Sequence, residues 1–281
     1  MAEAGAPLGI IAGGGDFPLR LARAAEAAGR PVFVVGIEGW ADPIELAGVP
    51  HVMERLGAAG SILDHMRRHQ ARDLVLAGRA RRPSIASLRP DAFGVKVLGR
   101  LGRAVFAGDD GLLQAIVRVL GEEGFAVLPV QAVVHDILPG AGPLTLARPD
   151  AEAEADIARG IAVARALGLA DVGQGCVVQQ GLVLTVEAIE GTDAMLARAG
   201  ELRREGAGGV LVKLVKPGQD RRVDLPAIGP RTVRGAIAAG LRGIAIEARG
   251  TVVVDRAELV AEADAAGLFV VAIDPDQFPQ G

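Results

Sequence analysis

Short apolar runs alternate with segments of helical periodicity along the first half of the chain, and this alternation narrows the choice of fold more than any single motif. The runs at 8–12, 32–36, 51–53, 73–77 and 125–130 read as strands. The segments 19–28, 60–69, 94–106 and 111–120 read as helices, with Ile62, Leu63 and Met66 on one face of the second. Strands separated by helices cannot be joined by tight hairpins. They pair in parallel, and the helices cover both faces of the sheet. With 3% aromatic residues and no Tyr, the core must rest on Val, Leu, Ile and Ala.

The periodicity breaks at 137–150, ILPGAGPLTLARPD, where Pro and Gly punctuate the chain. The sequence therefore predicts two α/β domains. The first is Rossmann-like with a mainly parallel sheet, over 1–138; a linker covers 139–150; a mixed α/β domain covers 151–281. In the second domain a helix at 151–167 precedes strands at 176–179 and 182–188. These flank Gln180-Gly181 and read as a hairpin. Helices follow at 194–204, 233–241 and 257–266, and strands at 210–215, 244–247, 252–254 and 269–273. Thr232 is placed to cap the helix that starts at Val233.

The formal net charge of −4 gives no general attraction to nucleic acid. The lone Cys176 excludes an internal disulfide and a multi-cysteine zinc site, and it suits a reducing cytoplasm. It lies in an apolar run, which predicts a buried, inert thiol. No apolar run reaches the length that spans a bilayer, and the start MAEAGAPLGIIAGGG lacks a basic leader region. A soluble or peripheral protein is expected.

Gly13-Gly14-Gly15-Asp16 lies between a strand and a helix, an arrangement that lets backbone N–H groups face a phosphate. A tight turn accounts for the same glycines, and Pro18 stands where the dinucleotide fingerprint has its third Gly. Glu38, just past the second strand, could serve as a ribose-binding acid. Arg79, Arg81 and Arg82 follow the 73–77 strand, at the end of a sheet where ligands bind, or form a solvated basic loop. Asp109 and Asp110 precede a helix they can cap. His65 and His69 are four apart with no metal-binding frame around them, so an exposed polar helix face is expected.

The densest chemistry lies in 182–232. Glu187 ends a strand and leads into Glu190-Gly191-Thr192-Asp193. Lys213 and Lys216 flank the end of another strand, and Asp220 and Asp224 follow in a loop bounded by Pro217 and Pro226. Carboxylate oxygens beside cations suit magnesium and a diphosphate: the metal bridges phosphoryl oxygens, Lys neutralises charge, and an Asp holds metal or directs water. Surface ion pairs would use the same residues.

Taken together and in order, several stretches resemble the LpxI-type UDP-2,3-diacylglucosamine pyrophosphatases of lipid A synthesis. They are Gly9 to Gly15, Gly108-Asp109-Asp110 with Leu112-Leu113, Asp171-Val172-Gly173-Gln174-Gly175, Glu187 to Leu196, Lys216-Pro217, Val223 to Gly229, and Thr232. The resemblance implies hydrolysis of UDP-2,3-diacylglucosamine to UMP and 2,3-diacylglucosamine 1-phosphate (lipid X), with water attacking the β-phosphorus. It implies dependence on Mg2+, with Mn2+ as a substitute, and two α/β domains with the lipid in a cleft between them. The family's essential Asp falls on Asp224, as catalytic residue and metal ligand. Asp193, Glu190 and Asp220 are expected around the metal. Gly13, Gly14, Gly15, Asp16, Arg82, Gln174, Glu187, Gly191, Thr192, Lys213 and Lys216 are expected to bind substrate. Gly78-Arg79-Ala80-Arg81 departs from the Gly-Asn or Gly-Lys turn expected before Arg82-Pro83. The expected partners are the lipid-linked UDP-sugar, its lipid X product and, transiently, the inner face of the inner membrane; no nucleic acid is expected, and a homodimer is left open. Competing readings are a dinucleotide-dependent enzyme built on Gly13–Gly15 and Glu38, and a non-catalytic lipid carrier.

Overall fold

All six residues of β2 (Val32–Ile37) are buried, and β1 (Leu8–Ala12) is nearly so, as central strands of a sheet covered on both faces must be. The computed structural model describes residues 5–80, 88–102 and 109–278. The chain forms two compact units. One comprises Met1–His135 together with Asp220–Asp224; the other comprises Asp136–Gln219 and Leu225–Gly281.

The first unit holds a fully parallel five-stranded sheet, formed with β3 (His51–Glu54), β4 (Asp73–Ala77) and β5 (Ala126–Val127), in the order β3-β2-β1-β4-β5. Its helices are α1 (Phe17–Ala27), α2 (Ala59–Arg68), α3 (Ala92–Leu101) and α4 (Asp109–Glu122). Pro18 sits in the first turn of α1, where its missing N–H costs nothing. Ile62, Leu63 and Met66 are the buried face of α2, as their spacing predicts. The strand expected at 125–130 is cut short. Leu128 N–H still donates to Leu74 O at 2.8 Å, but Pro129 has no N–H to extend the ladder, and a 3-10 turn follows at Val130–Ala132. Val223, from the inserted segment Asp220–Asp224, packs against the core built by Phe33, Val35, Ile62, Leu74 and Phe125. The expected capping by Asp109 and Asp110 concerns side chains outside the description.

The second unit holds a mixed six-stranded sheet in the order β6-β13-β11-β9-β7-β8. These are β6 (Gly142–Pro143), β7 (Gly175–Gln179), β8 (Leu182–Val186), β9 (Val210–Lys213), β11 (Gly243–Glu247) and β13 (Phe269–Ile273). The stretch expected as a linker thus contributes an edge strand, β6, antiparallel to β13. Helix α5 (Ala151–Leu169) covers one face, burying Ile157 and Ile161 against Cys176, Val178 and Val212. Helices α6 (Gly191–Glu201), α7 (Pro230–Ala238) and α8 (Arg256–Ala265) pack on the other face around Met195, Leu196, Val233 and Leu259. A small parallel pair, β10 (Ala227–Ile228) with β12 (Val252–Val253), lies apart from this sheet.

The β7–β8 hairpin forms as its sequence suggests. Gln180 and Gly181 both take positive φ, 56° and 74°, which a two-residue turn of this kind requires. The buried carboxylate of Asp156 accepts both their N–H groups, at 3.1 and 2.7 Å, and ties the turn to α5. Thr232 is not the cap of α7. The helix starts at Pro230, three residues before the expected Val233, with Gly229 as its N-cap, and the Thr232 hydroxyl reaches back to accept the Gly229 N–H at 3.3 Å.

Candidate active site

In the second unit, β8, β9, β11 and β13 run in the same direction, because β7 is antiparallel to both β8 and β9. Their carboxyl ends therefore share one edge, the side on which open α/β sheets bind ligands. Polar residues stand there at the end of apolar strands: Glu187 just past β8, Lys213 closing β9, and Glu247 closing β11.

Glu187 and Lys213 are buried, with side chains 9% and 4% exposed. Lys213 Nζ lies 3.4 Å from Glu187 Oε1 and donates to Thr192 Oγ1 at 2.6 Å. The Thr192 hydroxyl in turn donates to Glu187 Oε1 at 2.5 Å. Thr192 is the second residue of α6, and Gly191 before it takes φ 79°, a turn that favours glycine. The loop from Glu187 to Thr192 is thereby anchored to the sheet by a buried acid, hydroxyl and ammonium. Glu187 Oε2 takes no hydrogen bond among the described residues; nor do Thr185 Oγ1 and Gln174 Oε1 nearby in the sequence of these strands. A Cβ on Gly175 would lie 3.0 Å from that same Oε2, and one on Gly173 would lie 2.0 Å from the Glu187 carbonyl oxygen. These glycines of the Gly173-Gln174-Gly175 motif make room for Glu187.

Lys216 Nζ pairs with Asp171 Oδ1 at 2.8 Å, and this Lys side chain is only 10% exposed. The carboxylates expected around a metal have other company. Asp193 pairs with Arg231 at 2.6 Å, Glu190 pairs with Arg198, and Asp220 pairs with Arg222 at 2.7 Å. The Arg222 hydrogen bond holds the Asp220 carboxyl below its ordinary range. Asp224 is half-buried, and its N–H and that of Val223 both donate to Asp220 O at 3.1 Å, which makes 220–224 a helical turn. Asp220 and Asp224 thus share one turn of the first unit, while Glu187, Thr192 and Lys213 share one cluster of the second.

In the first unit, the glycine triplet lies where the strand order reverses, between β1 and β4. Gly13 N–H donates to Ala77 O, and Gly14 exchanges two hydrogen bonds with Arg79, all at 2.8 Å. Two of the three glycine N–H groups are therefore taken by backbone carbonyls. The need for glycine here is close approach. A Cβ on Gly13 would lie 2.4 Å from Arg79 O, and one on Gly14 would lie 2.6 Å from Trp40 O. Gly15 has φ 90°, with the Arg79 guanidinium alongside. Asp16 pairs with Arg20 at 3.0 Å. Arg81 and Arg82 lie outside the described residues. His69 is exposed, as expected, and stacks on Phe33 with ring centres 3.5 Å apart; His65 is half-buried and bonds Glu54 at 3.2 Å. Cys176 is buried, and burial pushes its thiol up to about 12, so it stays protonated and inert.

Sequence reasoning missed Glu247 and Gln219. Both are buried, and both accept backbone N–H groups just after β9: Val215 to Glu247 Oε2 at 3.0 Å and Lys216 to Gln219 Oε1 at 3.0 Å. The available signal was a Glu as the last residue of an apolar strand. Among the described residues no three of the His, Cys, Asp and Glu side chains gather as a ready metal cage. Magnesium is commonly held by one or two carboxylates and completed by substrate phosphates and water, so the hard oxygens of a carboxylate such as Asp224 fit its chemistry without a preformed cage.

Two family models match the chain. One described as LpxI N-terminal domain matches residues 7–137, and one described as LpxI C-terminal domain matches residues 140–271. The UDP-2,3-diacylglucosamine pyrophosphatase LpxI of Caulobacter vibrioides is 43% identical over 278 residues, which cover 97% of this chain and 99% of that protein.

Proposed function

The chain belongs to the LpxI family, and from that membership we propose that it hydrolyses the pyrophosphate of UDP-2,3-diacylglucosamine to UMP and 2,3-diacylglucosamine 1-phosphate. The observation that carries this reading is the 43% identity to a relative aligned over 97% of this chain and 99% of that protein, with the pyrophosphatase activity in its name. Water adds to one phosphorus, the P–O bond of the bridge breaks, and the bridging oxygen leaves with the other phosphoryl group. Attack at the β-phosphorus places the solvent oxygen in the sugar 1-phosphate.

Asp224 is the catalytic carboxylate in this reading. It sits in a short turn between Val223, which is seated in a core, and buried Pro226, so it is held rather than left to wave in solvent. It can accept a proton from the attacking water or hold the cation, an effect realised mainly in the transition state. Magnesium, when bound, would supply positive charge to the phosphoryl oxygens; Asp224 would hold it, and Asp220, Asp193 and Glu190 are the further carboxylates proposed around it. Lys213 and Lys216 supply fixed positive charge at the sheet edge. Thr192 and Glu187 fix the position of Lys213, while Gly191 and Gln174 present the adjoining loops to the substrate. Gly15 and Asp16 form the substrate face of the first unit, for which Gly13 and Gly14 build the turn; Arg82, outside the described residues, is proposed to bind substrate too. No helix among the described residues is long and apolar enough to cross a membrane. A cytoplasmic enzyme that meets its lipid at the inner face of the inner membrane fits this substrate.

The test is phosphorus NMR of the products formed in 18O-labelled water, for the wild type and for Asp224→Ala. The expected products are UMP and lipid X, with the label in lipid X. Asp224→Ala should lower kcat by at least about 10²-fold, the loss typical of a preorganised electrostatic group, with its melting curve little changed. Release of other products, or near wild-type turnover by Asp224→Ala, would overturn the corresponding assignment.

A further inference from the structure

Where β9 ends, the chain leaves the sheet, and its next N–H groups lose their ladder partners. Each is met by a defined acceptor. Leu214 donates to Gln174 O at 3.0 Å, Val215 to Glu247 Oε2 at 3.0 Å, and Lys216 to Gln219 Oε1 at 3.0 Å. Pro217 has no N–H to place. Two of these three acceptors are side chains, and both are buried. Glu247 comes from the neighbouring strand β11, so its carboxylate links the exit of β9 to the sheet itself.

The site is shaped for that carboxylate. A Cβ on Gly250 would lie 2.8 Å from Glu247 Oε1 and 2.7 Å from Val215 Cγ2. Gly250 is not among the residues with positive φ, so the lack of a side chain answers to space rather than to backbone conformation. The chain that Glu247 holds at Val215 goes on through Lys216 to the Asp220–Asp224 turn.

We infer that Glu247 is a positioning residue for the hydrolysis: it fixes the direction in which the segment carrying Lys216 leaves β9. The inference rests on the reading of Lys216 as a cation that serves the phosphoryl groups. A displacement of about 1 Å at a reacting group can cost on the order of 10²-fold in rate, so a single anchor at the root of this segment has leverage on kcat. The expected loss falls mainly on kcat, because charge on the phosphoryl oxygens is redistributed in the transition state.

The test compares Glu247→Ala, Glu247→Gln and Gly250→Ala in the full chain. For each, kcat and KM are measured, together with amide hydrogen exchange of the peptide spanning 214–219. Glu247→Ala should lower kcat by roughly 10- to 100-fold, leave KM within about threefold, and speed exchange at Val215. Glu247→Gln keeps an acceptor oxygen at the same reach and should recover most of both readouts. Gly250→Ala, which displaces the carboxylate without removing it, should lower kcat in the same sense. Wild-type kcat in Glu247→Ala, a loss confined to KM, or a Gln variant no better than Ala would overturn the inference. Should Glu247→Ala fail to fold, Gly250→Ala decides: faster exchange at Val215 with unchanged kcat overturns it. Lys216→Met separates the two readings. If that variant turns over normally, Lys216 is removed from the chemistry and the inference falls with it; if it loses turnover while Glu247→Ala keeps wild-type kcat, the inference alone falls.

Discussion

Replacing Lys213 by Met removes the ammonium from a buried pair and leaves its carboxylate behind. Glu187 is 9% exposed at its side chain, and Thr192 would remain as its one hydrogen-bonding neighbour in the cluster. Breaking a buried pair from one side typically costs about 3–5 kcal/mol, because an uncompensated charge stays in the interior. At about 2–4 °C per kcal/mol for a chain of this size, the melting transition should fall by roughly 6–20 °C. Glu187→Gln leaves the ammonium held by the Thr192 hydroxyl and should cost less. The double variant carries neither charge, and replacing both partners of a buried pair is often close to neutral. The assay is a double-mutant cycle by urea denaturation, followed by far-UV circular dichroism. The expected coupling is at least about 2 kcal/mol, against roughly 0.2–1 kcal/mol for an exposed pair. A coupling below about 0.5 kcal/mol, or a Lys213→Met variant as stable as the wild type, would refute the view that these charges are committed to each other in the interior.

Three further outcomes are expected. Excess chelator should abolish turnover, and Mg2+ or Mn2+ should restore it; full activity in EDTA would rule out the cation. The Asp220 carboxyl is held low chiefly by its Arg222 hydrogen bond, so its contribution to stability is present above the unfolded value of about 3.9 and is lost as pH falls through the lowered folded value. Arg222→Ala should move its titration, followed by carboxyl NMR, back up toward that value, and an unmoved titration would contradict the pairing. Gly243→Ala drives a Cβ to within 2.1–2.3 Å of the Phe269 ring, which should cost about 1–3 kcal/mol as an overpacked core does; Phe269→Leu in the same chain should recover part of it.

The parallel sheet of the first unit was legible because alternation of strand and helix is a local pattern, and local patterns survive in sequence. The hairpin at Gln180-Gly181 was legible for the same reason: two residues that tolerate positive φ lie between two apolar runs. The end of β5 was not, since Pro129 acts on the partner strand's ladder rather than on its own neighbours. The place of Gly142–Pro143 was hidden too, because a two-residue edge strand is defined by pairing with β13, far away in the chain. In the site, Glu187, Thr192 and Lys213 were legible as residue types but not as a buried cluster, which only the β8–β7–β9 register creates. Gly13 and Gly14 show the opposite case: the motif was plain, yet the sequence could not reveal that their N–H groups bond Ala77 and Arg79. Glu247 escaped notice because its partner, Val215 N–H, belongs to another strand's exit.

The strand order of the second unit also bears on how the chain is made. Synthesis delivers the β7–β8 hairpin first, then β9 beside β7, β11 beside β9, and β13 beside β11. Each new strand finds the edge it needs already present, so the sheet can grow outward as the polypeptide emerges, with no need to reopen finished pairs. The exception is β6, which is translated before all of them yet pairs with β13, the last to appear. The unit therefore waits for its own final strand before its first can be fixed. Closure of that edge has to wait until Val271 and Ala272, the partners of Pro143 and Gly142, have cleared the ribosome.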